Sequence, residues 1–155
     1  LMHARALAKV AAQVKDAVTK GARLAIGGSV DPDLLLAYLP TLLMDVPEDA
    51  LILHEETFGP VAAVIGFDTE AEVIARANAT PFGLVAYVVT RDGARQLRLS
   101  RALEFGMIAV NRVKITGGPV PFGGWKHSGL GREGSRHGID EYLEMKYLCL
   151  GDVLK

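Results

Sequence analysis

The chain has 155 residues, 17 Lys plus Arg against 18 Asp plus Glu, half of its residues hydrophobic and a single cysteine. That is enough apolar material for one ordinary globular domain, and it excludes wholesale disorder. No run of about 18 apolar residues exists to span a membrane, and one cysteine can neither close an internal disulfide nor supply a zinc-ribbon set.

The first ten residues, LMHARALAKV, carry charges and lack the apolar core of a signal peptide. The chain opens on Leu1 rather than on an initiator Met, so a piece of a longer protein is expected. Charge is segregated: residues 1–30 are net +4, 31–80 net −9, 91–137 net +6 and 138–155 net −2. The basic stretch is interrupted by apolar segments and has no nucleic-acid motif, so nucleic acid is not an expected partner. Acidic and basic segments are expected to face each other or a neighbouring subunit, or the arginines to attract an anionic substrate or cofactor.

Leu7, Val10, Ala11, Val14, Ala17 and Val18 form one apolar stripe, which predicts a helix over 3–20 stopped at Gly21. Arg23 to Ile26 reads as a short buried strand ending in the Gly27-Gly28 turn. Residues 29–40 read as a loop between Pro32 and Pro40 breakers, in which the triplet Leu34 to Leu36 is out of place. Strands follow at 41–46 and 61–67. Asp68 or Thr69 is placed to cap a helix whose stripe is Val73, Ile74 and Ala77. Leu84 to Val89 is a strand, Asp92 caps a helix carrying Leu97 and Leu103, and Met107 to Val110 is another strand. Strands separated by helices predict an α/β fold with a mostly parallel sheet and flanking helices.

The tail differs. Residues 117–138 hold eight glycines and two prolines, a composition typical of loops that carry function on a rigid scaffold. Residues 141–150 alternate like a strand, which would close the domain or add to a neighbouring subunit. The expected organisation is an α/β domain over 1–120, a glycine-rich loop with a short helix over 121–140, and an oligomerisation strand and tail over 141–155.

Gly129, Gly131 and Gly134 match G-x-G-x-x-G, but no strand precedes them, so a dinucleotide fingerprint is not expected there. Cys149, between Leu148 and Leu150, reads as a small buried hydrophobe. His3, His54, His127 and His137 have no metal-ligand spacing, and no metal is expected. In His54-Glu55-Glu56-Thr57-Phe58-Gly59-Pro60, a carboxylate could accept hydrogen bonds from sugar hydroxyls while the aromatic lies against a flat ring. The same residues could equally cap a turn and pack.

That string, with F-G-L at 82–84, Asn111 after a strand and P-F-G-G-x-K-x-S-G-x-G-R-E-G at 121–134, resembles the aldehyde dehydrogenase superfamily in content and order. The resemblance covers residues 2–150, and the tail at 132–147 is most similar to the succinate-semialdehyde branch. It implies that Glu56 binds the nicotinamide ribose and Phe58 contacts the nicotinamide of NAD or NADP. Thr116 falls where that branch has a serine that helps hold the substrate carboxylate, within a departing sequence, Lys114 to Pro119. The family attacks an aldehyde with a cysteine thiolate, passes hydride to the cofactor and hydrolyses the thioester. The nucleophile, the base glutamate and the oxyanion asparagine lie upstream of the point matching Leu1, so no catalytic residue is expected here. The resemblance thus implies the C-terminal third of a cytoplasmic, oligomeric NAD(P)-dependent enzyme acting on a small aldehyde, and inactive as this chain alone. The alternative is a naturally short assembly module that pairs with parent subunits through residues 141–150.

Overall fold

The computed structural model describes residues 1–151 and divides the chain into two compact units, residues 1–69 and residues 70 onward. In the first unit, α1 runs Ala4–Thr19. His3 begins it, its ring Nδ1 accepting from Ala6 N–H at 3.0 Å. At the other end Ala22 N–H reaches Ala17 O and Gly21 N–H reaches Val18 O, the paired bonds that satisfy the last carbonyls when a left-handed residue follows a helix. Gly21, at φ +114°, is that residue.

β1 (Arg23–Ile26), β2 (Thr41–Met44) and β3 (Val61–Ala63) form one sheet in that order. Along β2, Thr41 and Leu43 are buried and their neighbours only partly so. Leu43 joins Val10, Val14 and Ala17 of α1, with Ala22, Tyr38, Val46 and Ala50, in the core of the unit. Thr41 is buried but satisfied, since its hydroxyl accepts from Gly28 N–H and donates to Leu39 O, both at 2.8 Å. Between β1 and β2 the chain doubles back as a small hairpin, with Val30 bridged to Tyr38. Asp31 Oδ1 accepts from the N–H groups of Asp33 and Leu34 to form its tip. Leu34 and Leu35 stand exposed on that tip.

The second unit holds α2 (Glu70–Asn78), β4 (Phe82–Gly83), β5 (Val85–Val88), α3 (Gly93–Ala102), β6 (Met107–Val110) and β7 (Trp125–Lys126). β5, α3 and β6 make a strand–helix–strand crossover, with β5 and β6 parallel and in register from Val85↔Met107 to Val88↔Val110. Val88, Leu99 and Leu103 are its buried centre, and Ile74 and Ala77 of α2 pack on it. Asp92 caps α3 as expected, accepting from the N–H groups of Ala94 and Arg95.

The α/β class holds; a mostly parallel sheet does not. Among the described residues there are three small sheets, and two of the four strand pairings, β1–β2 and β4–β7, are antiparallel. For β1–β2 the cause is the connection. A hairpin returns the chain antiparallel, whereas parallel pairs need a crossover, as across α3 or over residues 45–60. Residues 64–67 also leave the expected third strand. Leu97 is exposed, and Leu99 holds the core position instead. Two residues along a helix are about 200° apart, so Leu97 and Leu99 face opposite ways. Residues 141–150 do not form a strand: 140–142 are a 3-10 turn and 143–150 join no ladder among the described residues. A strand needs a partner edge, and nothing described pairs with this one. Cys149 is exposed there rather than buried, for the same reason. Of the expected tail, residues 152–155 lie outside the described residues.

Acidic and basic segments do face each other. Glu70, at the start of α2, accepts from Arg98 Nε and Nη2 at 2.6 and 2.8 Å and from Arg95 Nε at 3.0 Å. The forked Arg98 contact, followed by Arg95, draws the Glu70 carboxyl down from 4.5 to about 2. A lowered carboxylate contributes stability that is complete above pH 4.5 and is lost as pH falls toward about 2. Acid titration followed by hydrogen exchange should show α3 losing protection across that window in the wild type. Glu70→Gln should flatten this loss, and an unchanged acid profile in the variant would refute the assignment.

Candidate functional site

Glu56 and Phe58 lie on one loop of the first unit, between the 3-10 turn at Leu51–Leu53 and β3. Both are exposed, and the Phe58 ring is 81% accessible. Phe58 has φ +49°, a left-handed conformation that a bulky residue adopts only when its surroundings over-determine it. Helix α1 supplies those surroundings. Lys9 Nζ donates to Glu56 O at 2.7 Å, and Gln13 Nε2 donates to Glu55 O and Glu55 Oε2 at 3.4 and 3.3 Å. Gly59 passes so close to α1 that a Cβ there would lie 2.5 Å from a Val10 methyl.

Phe58 and Thr57 form one wall of a cavity of about 600 Å³, whose other wall is Leu1, Met2, His3, Arg5, Ala6 and Lys9. The cavity is bordered by an exposed aromatic face, and the same loop carries the exposed carboxylate residue Glu56. Lys9 and Gln13, which hold this loop, are residues that motif reading overlooks. The available signal was Gln13 itself, a polar residue set inside the buried face formed by Val10, Val14 and Ala17.

Thr116 belongs to the second unit, in the irregular segment after β6, and is exposed. Its base is firm. Asn111 accepts from Thr90 N–H through Oδ1 and donates to Thr90 O through Nδ2, so its amide mimics a further rung beyond β5 and β6. The arginines nearby are engaged internally rather than gathered around an anion site. Arg112 Nε donates to Lys114 O, and Arg132 Nη1 donates to Gly124 O and Gly131 O.

The glycine-rich string is knitted to the second unit. Lys126 Nζ donates to the carbonyls of Asn78 and Thr80 and pairs with Glu104 at 2.7 Å. Ser128 Oγ accepts from Gly83 N–H. The Asn78 side chain in turn donates to Ala102 O and accepts from Glu104 N–H. Gly129, Gly131 and Gly134 lead into turns rather than an α-helix, so they offer no helix N-terminus to a phosphate. Among the described residues, no three His, Cys, Asp or Glu side chains gather as a metal site.

The model of the aldehyde dehydrogenase family matches residues 1–148. The chain belongs to this family. It is 50% identical over 153 residues to the glutarate-semialdehyde dehydrogenase of Pseudomonas aeruginosa, covering 99% of this chain and 32% of that protein. It is 48% identical over 151 residues to the succinate-semialdehyde dehydrogenase [NADP(+)] GabD of Escherichia coli, covering 97% of this chain and 31% of that protein. The crystal structure of succinate-semialdehyde dehydrogenase from Burkholderia pseudomallei superposes with a TM-score of 0.93 at 45% identity, over 97% of this chain and 31% of that one. This aldehyde dehydrogenase chain therefore spans about a third of the length of the relatives it matches. No helix among its described residues is long and apolar enough to cross a membrane.

Proposed function

We propose that this chain is the C-terminal third of a cytoplasmic NAD(P)-dependent aldehyde dehydrogenase whose substrate is a small carboxylated aldehyde, succinate semialdehyde first. The observation that carries the reading is the Glu56–Phe58 loop, held against α1 in a left-handed turn and presenting its carboxylate residue and aromatic ring to solvent. The similarity to succinate- and glutarate-semialdehyde dehydrogenases supports the substrate class.

In this reading the Glu56 carboxylate accepts hydrogen bonds from the two ribose hydroxyls and fixes the sugar. The Phe58 ring covers one face of the nicotinamide and excludes water from it. The cofactor, when bound, would supply the hydride acceptor for the carbon to which the thiolate has added. Thr116 would donate a hydrogen bond from its hydroxyl to the substrate carboxylate. Residues 1–120 belong to the catalytic α/β domain, 121–140 brace it, and 141–150 pair with a neighbouring subunit as an added strand. The exposed apolar side chains of Leu143, Met145, Tyr147, Leu148 and Leu150 support that last assignment.

The nucleophile and the phosphate-binding domain are assigned to the rest of the protein, so this chain alone should not oxidise aldehydes. The test is a single-turnover measurement of cofactor reduction with succinate semialdehyde on the full-length protein. Glu56→Gln should slow hydride transfer about tenfold, since misplacing a reacting ring by a fraction of an ångström costs that order. A wild-type rate in that variant would remove the reading.

A further inference from the structure

We infer that Gln13 is a positioning residue for hydride transfer: its buried amide holds the Glu55 peptide and so sets where Glu56 and Phe58 stand. The inference rests on the cofactor reading of that loop. Gln13 is 1% exposed, in the middle of α1. Both atoms near its amide nitrogen, Glu55 O and Glu55 Oε2, are acceptors, so the orientation of the amide is forced. The consequence is an orphan: Gln13 Oε1 is buried and has no hydrogen-bond partner among the described residues. An apolar side chain of equal size would fill this place without that penalty. A local rule broken in this way points to a functional demand.

The demand is visible three residues further along the loop. Phe58 keeps its left-handed backbone only while the chain on both sides of it is pinned. On the downstream side Gly59 is wedged against Val10. On the upstream side Lys9 holds Glu56 O and Gln13 holds Glu55 at both its carbonyl and its carboxylate. Lys9 and Gln13 are one helical turn apart and face the loop together. Lys9 is solvent-exposed and flexible, whereas Gln13 is locked by packing. Gln13 is therefore the rigid half of the clamp. Releasing it frees the Glu55 peptide to rotate and lets Phe58 relax out of its left-handed turn.

The experiment uses the full-length protein with Gln13→Met, Gln13→His and Glu56→Gln. It measures the single-turnover rate of cofactor reduction, the cofactor Kd and the thermal midpoint. Gln13→Met should slow hydride transfer about fivefold. Its thermal midpoint should stay level or rise, because the orphaned carbonyl goes with the amide. Gln13→His keeps an N–H donor and should restore most of the rate. A wild-type rate in Gln13→Met beside a slow Glu56→Gln overturns the positioning role and leaves the cofactor reading standing. Equal slowing in Gln13→Met and Gln13→His also overturns it, because the donor that His keeps would then not be what sets the rate. A wild-type rate in Glu56→Gln removes the cofactor reading and this inference with it.

Discussion

Leu43→Ala should lower the stability of the first unit by about 2–5 kcal/mol, more than any other single truncation there. Leu43 is 0% exposed and lies on β2, the middle strand of its sheet, with β1 on one side and β3 on the other. Its side chain meets the Val10, Val14 and Ala17 face of α1. The unit has few buried residues beyond that cluster and most of them are small, so the surroundings have little with which to refill the space. The cost has two parts, the lost transfer of the side chain out of water and the cavity left behind. Hydrogen exchange localises the effect to one unit. The β2 amides of Leu42 and Leu43 should lose protection by a factor of about thirty to several thousand, taking about 1.4 kcal/mol per tenfold. A change below threefold would show that Leu43 is not the keystone of that core.

Gly106→Ala should cost about 3 kcal/mol, through overpacking rather than through lost contacts. A Cβ at Gly106 would lie 2.2 Å from Gly123 O and 2.8 Å from Gly124 Cα. Both are backbone atoms, so no rotamer change can relieve the clash. Nor can the opposing segment simply retreat. Gly123 is itself backed by Gly131 O, and Gly124 by Ser128 and the Gly83 carbonyl. These residues form a stack of bare backbone in which each layer leaves no room for a side chain on the next. Trp125 follows Gly124 directly and lies on β7, half-exposed, so it reports on this stack. The variant should show a lower thermal midpoint and a red-shifted tryptophan emission. An unshifted spectrum with an unchanged midpoint would mean that the stack is looser than its distances imply.

The elements were largely legible in the sequence because each had both a period and a stop. Residues 7 to 18 carry a helical stripe and Gly21 ends it. Asp92 announces α3 with the short polar side chain a helix start requires. Strand direction was not legible, since alternating helices and strands say nothing of a hairpin hidden between two strands. Asp31, which turns that hairpin, looks like any loop aspartate until its two N–H partners are seen. The loop carrying Glu56 and Phe58 was legible as a candidate, from its residue types and its likeness to the family string. Its support was not, because Lys9 and Gln13 are 47 and 42 positions away from their partners along the chain. Glycines 117–138 were legible as a loop, but the close backbone approach that requires Gly123 and Gly124 shows only in their distances to Gly106 and Gly83, while Gly118 and Gly129 face open space.

The crossover of β5, α3 and β6 bears on the order in which the second unit assembles. Its parallel ladder joins Val85 to Met107, whereas the β4–β7 ladder joins Gly83 to Trp125, across about twice the length of chain. Each doubling of a loop adds about 0.6 kcal/mol of closure entropy, and β4–β7 repays it with only a two-residue ladder. Local contacts therefore have the advantage in rate. The crossover should form first and present its edge at Gly106 to the glycine segment.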